Sequence, residues 1–311
     1  MKMEDAVVLR QLLAAQLERT LESNLNDWLH NLRYNGSQVK KSVWEIPVSK
    51  AKTCLIFGPG ASLRKWENRI HELQHSGYIV ATPSVLPWMI RHDIVPDLVV
   101  AVDKSKKMQD WIELAEWDGP VAASTYADPS LGQNNTYWFN ISILPMKDGL
   151  WQTPLDDIVS GMMDDIPTFP SLACVTNMAL YLMVGLVFKK LAKFERYILV
   201  GTDYGFWKDL ERVPIVGDKY ANAPSESVVK IDGVLTEYKM AIYAERLYTF
   251  LAAESPKIYS MSEGILKDIP YMSLDDILAK KYPSQPDWNN VHERYFMEVL
   301  PAIIPHVTEH E

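Results

Sequence analysis

Excess positive charge, cysteine and long apolar runs are all scarce in this chain of 311 residues, and each scarcity closes off a class of function. Forty acidic residues against 31 basic ones leave a formal net charge of -9, whereas broad nucleic-acid binding needs a basic face to displace counterions from phosphates. Small anionic ligands stay open. Only two cysteines occur, Cys54 and Cys174, both inside apolar segments and without metal-ligand spacing, so both are expected to be reduced core residues. None of the seven histidines falls at an expected strand end or has zincin spacing, which leaves a zinc or histidine-base mechanism little support and predicts no metal ligands. The most apolar run, Met178 to Phe188, ends in Lys189-Lys190; it is short of the roughly 20 residues that cross a bilayer. Met1-Lys2-Met3-Glu4-Asp5 leads into an amphipathic pattern, not an apolar signal core. The expectation is a cytoplasmic protein with no membrane span and no nucleic-acid partner.

What is present is enough apolar content, 48%, for a full core and one large or two modest domains. Leucines and Trp28 recur at spacings of three and four from Val7 to Leu32, predicting one long helix or two, able to pack on the domain or on a second subunit. Asn35-Gly36-Ser37 breaks that pattern, and Trp44 to Val48 reads as extended. From residue 53 strand and helix alternate. Strands are expected at 53–57, 78–81, 96–103, 121–123, 137–141, 197–201 and 257–260, and helices at 85–91, 107–115, 174–191, 237–251, 273–278 and 291–299. Such alternation predicts a doubly wound, mostly parallel α/β sheet with ligands at the carboxyl ends of its strands. Residues 205–234 read as a long irregular loop of the kind that covers an active edge.

The stretch with most chemical content is Thr53-Cys54-Leu55-Ile56-Phe57 followed by Gly58-Pro59-Gly60-Ala61-Ser62-Leu63. A buried strand ending in two close glycines can bring bare main-chain amides to a phosphate. Ser62 is placed to cap a helix carrying Trp66, Ile70 and Leu73, or to bind an anion; an ordinary strand-to-helix turn would read the same way. Asp103 and Asp203 each follow an apolar strand and so belong at the sheet edge, where an acid can bind a sugar hydroxyl, hold Mg²⁺ through water, act as a base, or simply cap the next helix. Glu263 before Gly264 is a third acid after a late strand. Thr176 and Asn177 open the long apolar helix, where hydroxyl and amide groups suit a phosphate or base edge or satisfy buried backbone. No phosphate-loop lysine motif and no Asp-x-Asp after a strand occur.

Taken in order, five segments resemble one superfamily. Ile56 to Leu63 is similar to its Gly-x-Gly-Pro-Ser-Leu turn, with Ala61 where proline is usual. Ile94 to Asp103 is similar to its Pro-Asp, apolar strand, Asp pattern, and Cys174 to Leu180 with Ile198 to Tyr204 resembles its second half-site. Ile231 to Thr236 and Tyr259 to Gly264 complete the set. The family is the MptE-like, Rossmann-type group, which includes the motility accessory factors of flagellin glycosylation and archaeal 6-hydroxymethylpterin diphosphokinases, and is related to bacterial sialyltransferases. The resemblance implies a Rossmann-like sheet over 46–280, with helical extensions at 1–45 and 281–311. It also implies that Gly58, Gly60, Ser62, Thr176, Asn177 and Asp203 bind the nucleotide part of a donor, with Glu263 part of the signature. The absence of histidine between His92 and His292 departs from the sialyltransferases, and Lys104-Ser105-Lys106 after Asp103 departs from the doubled acid of the diphosphokinases. The long N-terminal helix and Glu263-Gly264 lie closer to the motility accessory factors.

Three readings result. The first is a transferase passing a CMP-linked nonulosonic acid from its nucleotide to a protein or glycan hydroxyl, with Asp103 or Glu237 as base and the Gly58 to Ser62 turn stabilising the leaving phosphate. The second is a diphosphokinase using Mg²⁺ and ATP on a pterin-like alcohol. The third is a nucleotide-binding or structural module without turnover. Terminal helices leave room for a homo-oligomer.

Overall fold

Thr53 to Phe57, buried at every position, form β1, an interior strand of an eight-stranded parallel sheet. The computed structural model describes residues 24, 26–133, 135–142, 166–170, 174–205, 228–231 and 234–300. β2 (Tyr78–Ala81), β3 (Leu98–Ala101), β4 (Pro120–Ser124), β5 (Asn135–Ser142) and β6 (Thr168–Pro170) add successively on one side of β1. The chain then returns through the helix Val175–Phe188, and β7 (Arg196–Val200) pairs with the other side of β1, followed outward by β10 (Ile258–Ser260). The spatial order β6-β5-β4-β3-β2-β1-β7-β10 reverses direction between β1 and β7. The expected doubly wound, Rossmann-like α/β fold is the fold found.

Parallel strands covered by helices on both faces read as continuous apolar runs, and the two faces divide cleanly. Cys54, Ile56, Val80, Val100 and Leu199 pack into a layer with the helices Val175–Phe188 and Tyr238–Glu254. Leu55, Phe57, Ile79, Val99 and Val200 pack into the opposite layer with Leu63, Ile70, Met89, Ile112 and Ile277. Both cysteines are free thiols, and burial pushes both above the ordinary thiol range.

Some local expectations change. The segment after β1 is not an α-helix capped by Ser62: Gly60 is the N-cap of a 3-10 helix, Ala61–Trp66, and a second one spans Ile70–His75. Trp44 does not begin an extended lead, because Ser42 and Glu45 close a capping box around the 3-10 turn Val43–Glu45. Part of the expected long loop is ordered secondary structure: β8 (Val228–Ile231) and β9 (Val234–Glu237) form an antiparallel pair. The rest of that loop, 206–227, lies outside the described residues, as do most of residues 154–170 and the part of the expected N-terminal helix before residue 24.

Residues 26–36 are helical and dock near β4, where buried Asn35 donates to the carbonyls of Thr125 and Ala127 at 2.9 Å each. At the other end, the helix Trp288–Arg294 and the π-turn Tyr295–Val299 pack on the helix Tyr238–Glu254, with Tyr295 Oη donating to the Ala241 carbonyl at 3.2 Å.

Candidate functional site

In an open α/β sheet the crevice forms where strand order reverses, at the carboxyl ends of the two diverging strands. Here those are β1 and β7, so the Gly58 turn and Gly201-Thr202-Asp203 leave the sheet side by side. They are joined directly. The amide of Gly58 donates to the Val200 carbonyl at 2.9 Å and that of Gly60 to the Gly201 carbonyl at 2.6 Å. Asp203 then accepts from the Ser62 amide at 2.8 Å and from the Ser62 hydroxyl.

Asp203 is 4% exposed and Ser62 1% exposed, so this is an interior junction. Burial raises the Asp203 carboxyl above the ordinary carboxylate range, while the Ser62 hydroxyl and amide and the Glu263 main chain work to lower it. The loop after β10 completes the junction: Ser262 Oγ accepts from the Thr202 amide at 2.6 Å, and the Ile265 amide donates to the Asp203 carbonyl at 3.0 Å. Glycine is needed where these loops cross. A Cβ at Gly60 would stand 2.4 Å from the Gly201 carbonyl oxygen and 2.6 Å from Asp203 Oδ2, and one at Gly264 would stand 1.4 Å from the Asp203 carbonyl oxygen.

The expected bare amides are therefore not open at Gly58, Gly60 and Ser62: all three donors are taken up by β7 and the loop after it. What remains at the reversal point is a different set. A Cβ at Gly58 would lie 2.9 Å from the Gly201 carbonyl oxygen, 3.2 Å from Thr202 Oγ1 and 3.4 Å from Thr176 Oγ1, so the β7 loop backbone closes over Gly58 and two hydroxyls stand beside it. Thr176 sits in the first turn of the 14-residue helix Val175–Phe188, whose N-cap, Cys174, contributes no side-chain bond to the helix amides. Thr202 Oγ1 is buried and has no hydrogen-bond partner among the described residues, and a buried polar atom left so costs about 1–3 kcal/mol. Thr202 was not singled out from sequence; its only signal was its place between Gly201 and Asp203 at a strand end.

The remaining candidates are distributed. Asn177 faces inward, donating to the Tyr243 carbonyl at 2.9 Å and accepting from the Tyr204 hydroxyl, so its amide braces the second half-site. Tyr204, with φ of 49°, is held in place by Thr236 Oγ1, which donates to its carbonyl at 2.6 Å. Glu263 is exposed and pairs with Lys65, bridging the β10 and β1 loops. Asp103 is exposed beyond β3, and Oδ1 accepts from the Ser105 amide at 2.8 Å. Three strand spacings separate β3 from β7 in the sheet, about 14 Å, so Asp103 shares the rim but not the junction. Glu237 occupies the N-cap position of Tyr238–Glu254; it is 3% exposed, and its carboxylate lies 2.5 Å from Lys239 Nζ. The structure thus brings together Gly58, Gly60, Ser62, Thr176, Asp203 and Glu263, and sets Asp103 and Glu237 apart from their hydrogen-bonded network.

The glycine turn after β1 lies within a segment that has a counterpart among protein families. Residues 26–144 match the family model described as 6-hydroxymethylpterin diphosphokinase MptE-like. Over this segment the chain is similar to the MptE-like family. The match takes in β1 to β5, and so the Gly58 turn and Asp103, and stops short of β7. The chain also superposes on the MAf glycosyltransferase from Magnetospirillum magneticum AMB-1 with a TM-score of 0.53 at 12% sequence identity, over 89% of this chain. This chain spans 44% of that longer one, and at such identity the likeness is one of fold. No curated protein matches the chain. The matched segment and the strands β7 and β10 thus supply opposite walls of the crevice. No helix among the described residues is long and apolar enough to cross a membrane.

Proposed function

We propose that the chain is a nucleotide-binding transferase of glycosyltransferase type, taking a CMP-activated nonulosonic acid and passing the sugar to a protein or glycan hydroxyl. The single observation that carries this reading is the Thr202 hydroxyl, without a partner among the described residues, beside Gly58 and Thr176 at the sheet's reversal point. In this reading the helix Val175–Phe188 directs its N-terminal amides and partial positive charge at the donor phosphate. Thr176 and Thr202 supply hydroxyl donors there, beside the turn at Gly58. Charge developing on the leaving phosphate is met by the same fixed dipoles, which need no rearrangement as the bond breaks. Gly60, Ser62 and Asp203 act by holding the β1 and β7 loops together, with Lys65 and Glu263 fastening the outer side. Asn177 fixes buried Tyr204 behind the β7 loop. For an inverting transfer, exposed Asp103 is the base open to an acceptor hydroxyl, with Glu237 the other nominee.

A second reading is favoured by the family description itself: a diphosphokinase using Mg²⁺ and ATP. The residues present fit Mg²⁺ poorly, since Asp103 brings one carboxylate followed by Lys104, Lys106 and Lys107, and no step is drawn through the metal. Thermal unfolding with CMP, UDP, GDP, ATP and AMP, each with and without Mg²⁺, separates the readings. Cytidine-selective, metal-independent stabilisation is the expected result. Stabilisation by Mg·ATP alone transfers the assignment to the second reading, and no stabilisation by any nucleotide reduces the chain to a module without a donor site.

A further inference from the structure

The opposite rim of the sheet, at the amino ends of β10, β7 and β1, has a composition unlike that of the acidic chain as a whole. The helix Val175–Phe188 ends there, and the turn that follows presents Phe188, 67% exposed, and Leu191, 44% exposed. Around this apolar pair stand exposed Lys189, Lys190 and Lys193. Lys189 Nζ lies 5.5 Å from the Trp44 ring centre. The neighbouring strand entries extend the charge. Lys52 precedes β1, its carbonyl accepting from the Glu195 amide at 2.8 Å, and the Lys257 carbonyl accepts from the Tyr197 amide at 2.8 Å. Exposed Lys50 lies beside Lys52. Glu195 is occupied by Lys52, at 2.6 Å, and by Arg196, at 2.9 Å.

From this geometry we infer that the amino-end rim of β10, β7 and β1 docks peripherally on an anionic lipid surface, with Phe188 and Leu191 entering the headgroup layer and the lysines meeting its phosphates. Six lysines on one rim of a chain whose net charge is -9 are complementary to a negative surface. The apolar pair sits on an outward turn, not in a recess. An acidic protein partner would need a broad complementary patch to bury these side chains, whereas a lipid interface accepts a protruding tip and lets lysine stems lie along it. Docking there would turn the reversal point of the sheet away from the bilayer, across strands of five residues, about 16 Å.

The test is co-sedimentation of the full chain with phosphatidylcholine vesicles containing about 30% phosphatidylglycerol at about 50 mM NaCl. Binding is expected with these vesicles, none with phosphatidylcholine alone, and release at about 0.5 M NaCl. At about fivefold per lysine, Lys189→Glu with Lys190→Glu and Lys193→Glu should weaken binding by roughly 100-fold or more. Phe188→Ser with Leu191→Ser should weaken it about tenfold with the salt dependence retained. Lys280→Glu, elsewhere on the surface, should leave it unchanged. Lys190→Gly keeps the fold testable if the triple variant is unstable, because Lys190 has φ of 60°, and should cost about fivefold. Failure to sediment with the anionic vesicles, sedimentation undiminished by the rim variants, or capture by immobilised polyglutamate without vesicle binding would each overturn the inference.

Discussion

Replacing Asp203 by alanine tests whether the junction at the reversal point holds the crevice walls together. The substitution removes the acceptor for the Ser62 amide, at 2.8 Å, and for the Ser62 hydroxyl, both in the interior. Two buried donors left unpaired cost about 1–3 kcal/mol each, and relief of the buried carboxylate offsets part of that, so a net loss of about 3 kcal/mol is expected. With a urea slope near 3 kcal/mol/M, the unfolding midpoint should fall by about 1 M. Asp203→Asn supplies the control. Its carbonyl can accept from the Ser62 amide and its NH₂ can donate to the Ser62 hydroxyl, so it should cost under about 1 kcal/mol.

The pH dependence has a definite sign. Burial raises the Asp203 carboxyl, so the folded chain holds this proton to higher pH than the unfolded one. Its contribution is fully present below the ordinary carboxylate range and is lost as pH rises through the raised folded value. Asp203→Asn, which does not titrate, should therefore be most costly at low pH and least costly near pH 7. An alanine variant within about 0.5 kcal/mol of the parent, or an asparagine variant as unstable as the alanine one, refutes the account.

Further outcomes follow from the same geometry. Gly60→Ala places a methyl 2.4 Å from the Gly201 carbonyl and should lose about 1–3 kcal/mol, read by urea unfolding. Thr202→Val removes the orphaned hydroxyl, so the ligand-free melting temperature should rise by about 2 °C while any nucleotide-induced rise shrinks, both read in one thermal series. Glu245 is buried, which works to raise its carboxyl, but His292, Arg246 and Thr249 hold it below the ordinary range. Stability drawn from that ionised carboxylate is present above the usual carboxylate pKa and lost as pH falls through the depressed value. His292→Ala should flatten this acid limb and cost about 1 kcal/mol near neutrality, measured by urea unfolding across pH.

The parallel sheet was legible because β1, β2 and β3 are buried at every position and so read as unbroken apolar runs. The two sides of the crevice were legible because a glycine turn and an Asp each follow such a run. Which groups stay open there was not legible. Two glycines in a turn look alike whether a phosphate or another loop approaches, and only coordinates show that Gly60 makes room for Gly201 and Asp203. Ser62 misled for a related reason: capping chemistry is local, and a partner 141 residues away took the hydroxyl instead. The short β8 and β9 strands were hidden because their pairing is with each other and carries no long apolar run. Thr202 left no mark beyond its position, since lack of a hydrogen-bond partner belongs to the assembled interior and not to any residue type.

The span between Ser62 and Asp203 also bears on biogenesis. A ribosome elongating at about 5–20 residues per second makes Ser62 wait about 7–28 seconds for its partner 141 residues downstream. Through that interval the nascent sheet carries an uncovered β1 edge, open to mispairing until β7 arrives. Chains terminated before residue 203 should accordingly depend on chaperones or be degraded, while the completed polypeptide closes its own exposed flank.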